Sequence, residues 1–205
     1  MSESFVQLQL NYLKLLQSTP VRLYTNSTCL TMAITYDFEK VGIAIAKGLD
    51  GAFGKPKKGI PKYNHDRASH YSLSINDCLT IEKMFPSILS GKYINEKQKG
   101  TKYENVFGLT NFREIDGKSA PSHFTMSLTN DSEKKLVISI VPPKDDKNMD
   151  QASFTFTNIY ETRRFYNFIK KCGEELDFQK SIHTANNKFI RKMIYDHINS
   201  EKKTD

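Results

Sequence analysis

The residues best suited to chemistry lie in two lysine-rich stretches. Between Lys47 and Arg67, the six cations Lys47, Lys55, Lys57, Lys58, Lys62 and Arg67 stand against Asp50 and Asp66, with Phe53 and Tyr63 interleaved. Between Gly91 and Tyr103, the four lysines Lys92, Lys97, Lys99 and Lys102 stand against Glu96, with Tyr93 and Tyr103 alongside. Ammonium groups follow phosphates, and aromatic rings stack on unpaired bases at about 1–3 kcal/mol per base. Bases of a duplex are already stacked on one another, so exposed rings favour single strands. The plain alternative is a pair of solvated loops kept irregular by their charge.

Other chemistries fit less well. A phosphate-binding P-loop needs Gly, four residues, then Gly-Lys-Ser/Thr, but Gly54-Lys55 is followed by Pro56 and Leu49 stands where the first glycine belongs. His65, His70, His123, His183 and His197 lack metal-ligand spacing, and Cys29, Cys78 and Cys172 form no C-x-x-C pair. His65-Asp66 is the one pair a metal-dependent nuclease would use, and no second carboxylate cluster backs it. Asp145, Asp146 and Asp150 read as a solvated loop beside Lys144 and Lys147. The expectation is no catalytic residue, no metal and no cofactor.

The net charge of +7 and a pI of about 9.2 favour polyanionic partners such as nucleic acid or an anionic membrane surface. No apolar run reaches the length of a membrane span and no signal-peptide pattern is present, so neither a membrane partner nor secretion is expected. Cysteines inside apolar patterns fit a reducing interior, and the expected location is cytoplasmic, in a bacterial cell or a phage-infected host.

The elements that position the loops show as two periodicities. In residues 152–177, Phe154 and Phe156 alternate with hydroxyl residues, then Asn158 caps a helix whose Phe165, Phe168, Ile169, Cys172 and Leu176 form one apolar stripe. The same unit occurs earlier, where Tyr71, Leu73 and Ile75 alternate, Asn76 or Asp77 caps, and Cys78, Ile81, Phe85 and Ile88 follow. Pro86 predicts a kink or an early end to that helix. VRLYTN, CLTMAITYDF and VGIAIAKG read as three strands of a meander. In the third, Gly42, Ala44 and Ala46 leave a face small enough for a flat base to approach. Strand patterning resumes over 103–112, then over His123–Thr129 with a turn at Asn130-Asp131, and over Leu136–Ile140 until Pro142-Pro143. Helices are expected at Phe5–Leu16 and over 184–199.

The predicted fold class is α+β: two four-stranded antiparallel sheets, each followed by a helix (ββββα repeated), with N- and C-terminal helices. A single domain covers 1–205, with pseudo-repeats at 21–90 and 103–177 and the C-terminal helix at 184–199. The outward Ser72, Ser74, Thr125, Ser127, Thr155 and Thr157 give nearly uncharged sheet faces on which bases could lie.

Four strands and a helix, repeated once over Val21 to Asp177, resembles the topology of the Whirly proteins, the kinetoplastid guide-RNA-binding proteins and PUR-type domains. The resemblance lies in element order. The lysine-glycine-lysine-alanine signature of plant Whirly strands is reduced to Lys47-Gly48, so no site residue is carried over. It implies two sheets packed crosswise, helices closing the core, and a homo-oligomer, often a tetramer formed through those helices. Small phage proteins that bind single-stranded DNA also look like this. The expected function is non-enzymatic binding of single-stranded DNA, with RNA possible, in replication, recombination or transcription. Two rivals stay open: a virion or protein-interaction component using the Phe189, Met193 and Ile194 stripe, and a metal-dependent nuclease.

Overall fold

The chain forms two successive β-meanders, each closed by a helix. The structure, a computed structural model, describes residues 20–35, 39–49 and 62–201; in the last helix, side chains are described as far as residue 181 and at 184. The predicted N-terminal helix at Phe5–Leu16, together with Phe53, Lys55, Lys57 and Lys58, lies outside the described residues.

The first sheet has the order β1 (Val21–Tyr24), β2 (Thr28–Ile34), β3 (Val41–Lys47), β4 (Ser69–Leu73), and all its pairs are antiparallel. Period-two alternation buries Leu30, Met32 and Ile34 of β2 and Val41, Ile43 and Ile45 of β3, as the pattern predicts. Register then fixes the opposite face. Arg22, Thr31, Ala44 and His70 form one cross-strand row, and Ala33, Gly42 and Ser72 the next.

Helix α1 (Ile75–Leu89) begins at Ser74, earlier than the predicted Asn76 or Asp77. Asp77 instead completes a capping box. Its amide donates to Ser74 Oγ at 3.2 Å, and its carboxylate accepts from the Ser74 amide at 2.8 Å. Pro86 sits in the last turn, and the helix ends three residues later, where the Ser90 amide bonds to the Pro86 carbonyl.

The second sheet has the order β5 (Phe107–Ile115), β6 (Lys118–Leu128), β7 (Leu136–Val141), β8 (Ala152–Thr155). Its first two strands are longer than the sequence pattern indicates. Asp116 and Gly117 both take positive φ, 50° and 74°. They close a two-residue hairpin, so the ribbon continues past Phe112 and starts well before His123.

Helix α2 (Ile159–Glu201) starts where Asn158 Oδ1 accepts from the Glu161 amide, and it runs without interruption through 184–199, where the sequence predicts a separate helix. Its stripe Phe165, Phe168, Ile169, Cys172 and Leu176 is buried together with Cys78, Ile81, Phe85 and Ile88 of α1 in one cluster shared by both sheets. The helices touch most closely at Gly173, where an added Cβ would lie 2.9 Å from that of Cys78. Lys170 bridges them to Glu82 at 2.9 Å. Phe165, fully buried against Phe85 and Phe156, contributes about 3–5 kcal/mol relative to alanine. The architecture is therefore α+β with two four-stranded antiparallel sheets, and the four-strands-then-helix order occurs twice. Among the described residues no helix is long and apolar enough to cross a membrane.

Candidate nucleic-acid interface

The exposed face of the first sheet has a floor of small uncharged residues because β2 and β3 alternate large inward with small outward side chains. Thr31 and Ala33 of β2, Gly42 and Ala44 of β3, and Ser72 of β4 make up this floor. A depression of about 410 Å³ over it is lined by Arg22, Tyr24, Thr31, Ala44, His65, Ala68 and His70. A second, of about 300 Å³, shares Thr31, Ala44 and His70 and continues over Ala33, Gly42 and Ser72. A third, of about 350 Å³, shares Ser72 and opens between the two sheets beside Lys40, Ser74, Asn111, Phe112 and Arg113. The three form one track.

Two rings mark its ends. Tyr24 is 52% exposed, and Phe112, on the outward side of β5, is 70% exposed. An aromatic ring this exposed gains by stacking on a planar ligand. At the crevice, β5 side chains cover the open edge of β4: Asn111 Nδ2 donates to the Ser72 carbonyl at 2.7 Å, and Arg113 Nη2 to the His70 carbonyl at 2.9 Å. These bonds satisfy the edge and at the same time fix a guanidinium in the track.

The electrostatics follow from what is missing around the cations. Among the described residues Arg22, Lys40, Lys47 and Arg113 have no carboxylate within ion-pair distance. Lys40 precedes β3 and Lys47 ends it, so they bracket about 20 Å of strand at the usual rise per residue. Lys47 also faces a crevice of about 600 Å³ with Ser27, Thr28, Gly48, Gln151 and Ser153. His70 is exposed, and its partial desolvation on the sheet, with secondarily the Arg113 charge, holds the imidazole below its usual pKa.

The predicted site residues are distributed differently from the sequence expectation. Tyr63 is 6% exposed, packs with Cys29, Ala46 and Ala68, lies tilted against the Tyr24 ring at 5.7 Å, and donates its hydroxyl to the Thr25 carbonyl at 2.8 Å. The fold uses this ring as a support for Tyr24. Lys62 lies over the same ring at 5.5 Å. Arg67 is paired with Asp150 at 2.8 Å and also reaches the Lys147 carbonyl. In the second loop Lys92, Lys97, Lys99 and Lys102 are exposed, and Tyr103 is 52% exposed. Tyr93 is half-buried, its ring edge-on to Phe107 at 5.8 Å.

The described residues of the two loops are not neighbours. Through Arg67 the first is tied to the connection that follows Val141, at the far end of β7. The second packs at the near end: Gly91 approaches Leu128, the partner of Leu136 at the start of β7, and Tyr93 meets Phe107. The six residues of β7 separate those ends. A strand of that length spans about 20 Å, so among the described residues no single groove lies between the loops.

Sequence reasoning missed Arg22, Tyr24, Lys40, His70, Phe112 and Arg113. The signal for the first two was their phase. Val21 and Leu23 point inward, so Arg22 and Tyr24 must share the outward side with the small face of β3. Phe112 is likewise out of phase with Phe107 and Leu109. Among the described residues no group of three or more His, Cys, Asp or Glu is placed to hold a metal ion.

No protein-family model matches the sequence, and no curated protein matches it. Among solved structures the chain is similar to MRP1/MRP2 of Trypanosoma brucei (12% identity over 77% of this chain and 92% of that one, TM-score 0.44). It is also similar to the plant transcriptional regulator PBF-2 (14% identity, 83% and 87% covered, TM-score 0.46). A third structure, WHY3 from Arabidopsis thaliana, has 12% identity, 82% and 96% coverage and a TM-score of 0.46.

Proposed function

We propose that the protein binds single-stranded DNA without catalysing a reaction on it, using the outward face of the first sheet and the crevice leading to β5. The observation that carries this reading is the pair of exposed rings, Tyr24 and Phe112, at the two ends of an uncharged floor bordered by Arg22, Lys40 and Arg113. Phosphates follow the cations, and unpaired bases lie on the rings and the small residues between them. A duplex offers its base faces to neither ring. RNA single strands present the same phosphates and bases, and no side chain here is assigned to a 2′-hydroxyl. Replication, recombination and transcription each expose such strands and are the processes in which this reading places the protein.

Titrating labelled oligonucleotides at several salt concentrations tests the proposal. Three phosphate-neutralising cations give a slope of log affinity against log salt of about −2 for a single strand. Phe112→Ala is expected to weaken binding about tenfold with an unchanged melting temperature, because the ring is mostly in solvent. Equal affinity for duplex, or an unaffected Phe112→Ala variant, overturns the assignment.

A further inference from the structure

The loop at the opposite end of the second sheet is built too rigidly to be a solvated linker. Asn95 receives a bond at its Oδ1 from the Lys97 amide, its own amide donates to the Glu104 carbonyl at 2.7 Å, and its Nδ2 reaches the Val106 carbonyl. Glu104 returns a carboxylate oxygen to the Gly100 amide at 2.7 Å. Gly100 takes a φ of 79°. That conformation favours glycine, which has no Cβ to clash. A single turn of 3₁₀ helix (Glu96–Gln98) sits inside, and Tyr93 anchors the whole to Phe107. Such compact loops, stapled by their own hydrogen bonds, are preorganised surfaces.

What this loop presents is a mixture of exposed apolar and cationic side chains. Ile94 and Tyr103 flank the two ends of the Asn95–Glu104 bond, and these side chains are 45% and 52% exposed. Lys102 extends over the Tyr103 ring at 5.0 Å. Among the described residues Lys92, Lys97 and Lys102 have no carboxylate within ion-pair distance, while Glu96 is held by Lys99 and Glu104 by the loop backbone. An exposed aromatic ring and an aliphatic side chain carried with uncommitted ammonium groups on one rigid loop have the composition of a protein-binding hot spot.

We propose that this loop is a docking site for an acidic peptide segment of a partner protein, its carboxylates facing Lys92, Lys97 and Lys102 and an apolar side chain seated on Ile94 and Tyr103. A nucleic-acid strand would use the lysines and Tyr103 but would leave Ile94 without a role, so a peptide fits better. The site lies away from the first-sheet track, and peptide and oligonucleotide are expected to bind the full chain independently.

The test uses a fluorescein-labelled twelve-residue peptide of Asp, Glu, Phe and Leu, with a control in which lysines replace the acids. Fluorescence anisotropy at low salt should show saturable binding of the acidic peptide alone. Tyr103→Ala and Ile94→Ser, each truncating a half-exposed side chain, should weaken it about tenfold at unchanged melting temperature. Lys102→Glu should weaken it further, and oligonucleotide affinity should stay the same in all three variants. Absence of saturable binding, or equal binding by wild type and variants, overturns the proposal. Loss of oligonucleotide affinity in these variants overturns it too, by making the loop a nucleic-acid contact. The peptide titrations do not depend on whether the first-sheet track binds DNA.

Discussion

Arg67 donates to Asp150 Oδ1 at 2.8 Å, and this pair joins the connection before β4 to the connection before β8. The Arg67 carbonyl accepts the Asp150 amide, and Ser69 Oγ donates to the Asp150 carbonyl, so the backbone tie survives loss of the carboxylate charge. Asp150 therefore occupies the place a phosphate would take on Arg67, next to the crevice bordered by Lys47 and Gln151.

Asp150→Asn is expected to strengthen oligonucleotide binding and to steepen the salt slope by about 0.7, the share of one additional phosphate contact. Both partners are substantially exposed, so the stability lost is that of a surface ion pair, about 0.2–1 kcal/mol. Salt-dependent titration with a melting curve checks both. Unchanged or weaker affinity would show that Arg67 serves only the fold.

Gly42 tests the floor of the track. A Cβ at this position meets the Ala33 carbonyl oxygen at 3.6 Å and Thr35 Cγ2 at 3.7 Å, ordinary contact distances, so the strand accepts a side chain. Gly42→Val adds a β-branched residue that suits a strand and raises the floor where a base would lie. The melting temperature should hold or rise while affinity for single strands falls about tenfold, the worth of roughly one stacked base. Unaltered affinity would move the ligand off this face.

Much of the architecture was legible because each half repeats the same periodicities. Leu30, Met32 and Ile34 showed their sheet by alternation, and Phe165, Phe168, Ile169 and Cys172 their helix by the spacing of one apolar stripe. The hairpin at Asp116-Gly117 was also written in the sequence, but the weakly alternating residues on either side of it concealed the length of β5 and β6. The site was less legible for a geometric reason. Basic, aromatic loops attract attention in a one-dimensional reading, yet register across β1, β2, β3 and β4 is what places Arg22 beside His70, and only the packing of the sheets brings Arg113 there. Tyr63 shows the converse: a loop tyrosine in the sequence, it lies under Tyr24 because its hydroxyl finds the Thr25 carbonyl.

His70 links binding to pH. Partial desolvation of this exposed ring, then Arg113, lowers its pKa from 6.5 in the folded chain. Between the lowered value and the ordinary one the unfolded chain carries a proton that the folded chain lacks, so stability rises with pH across that window and is lost as pH falls through it. A phosphate in the track would offset Arg113 and favour the protonated ring, so oligonucleotide affinity should increase as pH drops from neutral into the mildly acidic range. His70→Gln should flatten both dependences, which separates His70 from His65 and the remaining histidines. Titrations at constant ionic strength measure this, and parallel pH profiles for wild type and variant would place the phosphates elsewhere.

Tyr71 gives a stability prediction that also bounds the interface. The side chain is 1% exposed, its ring lies on Phe124 at 5.5 Å, and its hydroxyl has no hydrogen-bond partner among the described residues. Burial, and to a lesser extent the Asp77 charge, push the phenol up, so it stays neutral and the cost is that of a desolvated hydroxyl. Tyr71→Phe keeps the ring and removes the orphan group, which should stabilise the fold by about 1 kcal/mol and raise the melting temperature by roughly 2–4 °C. A lower melting temperature would mean that an ordered water satisfies the hydroxyl. Because the hydroxyl lies beneath the track, single-strand affinity should be the same in the variant, and a marked loss would show that the ligand reaches deeper between the sheets than Phe112 and Arg113.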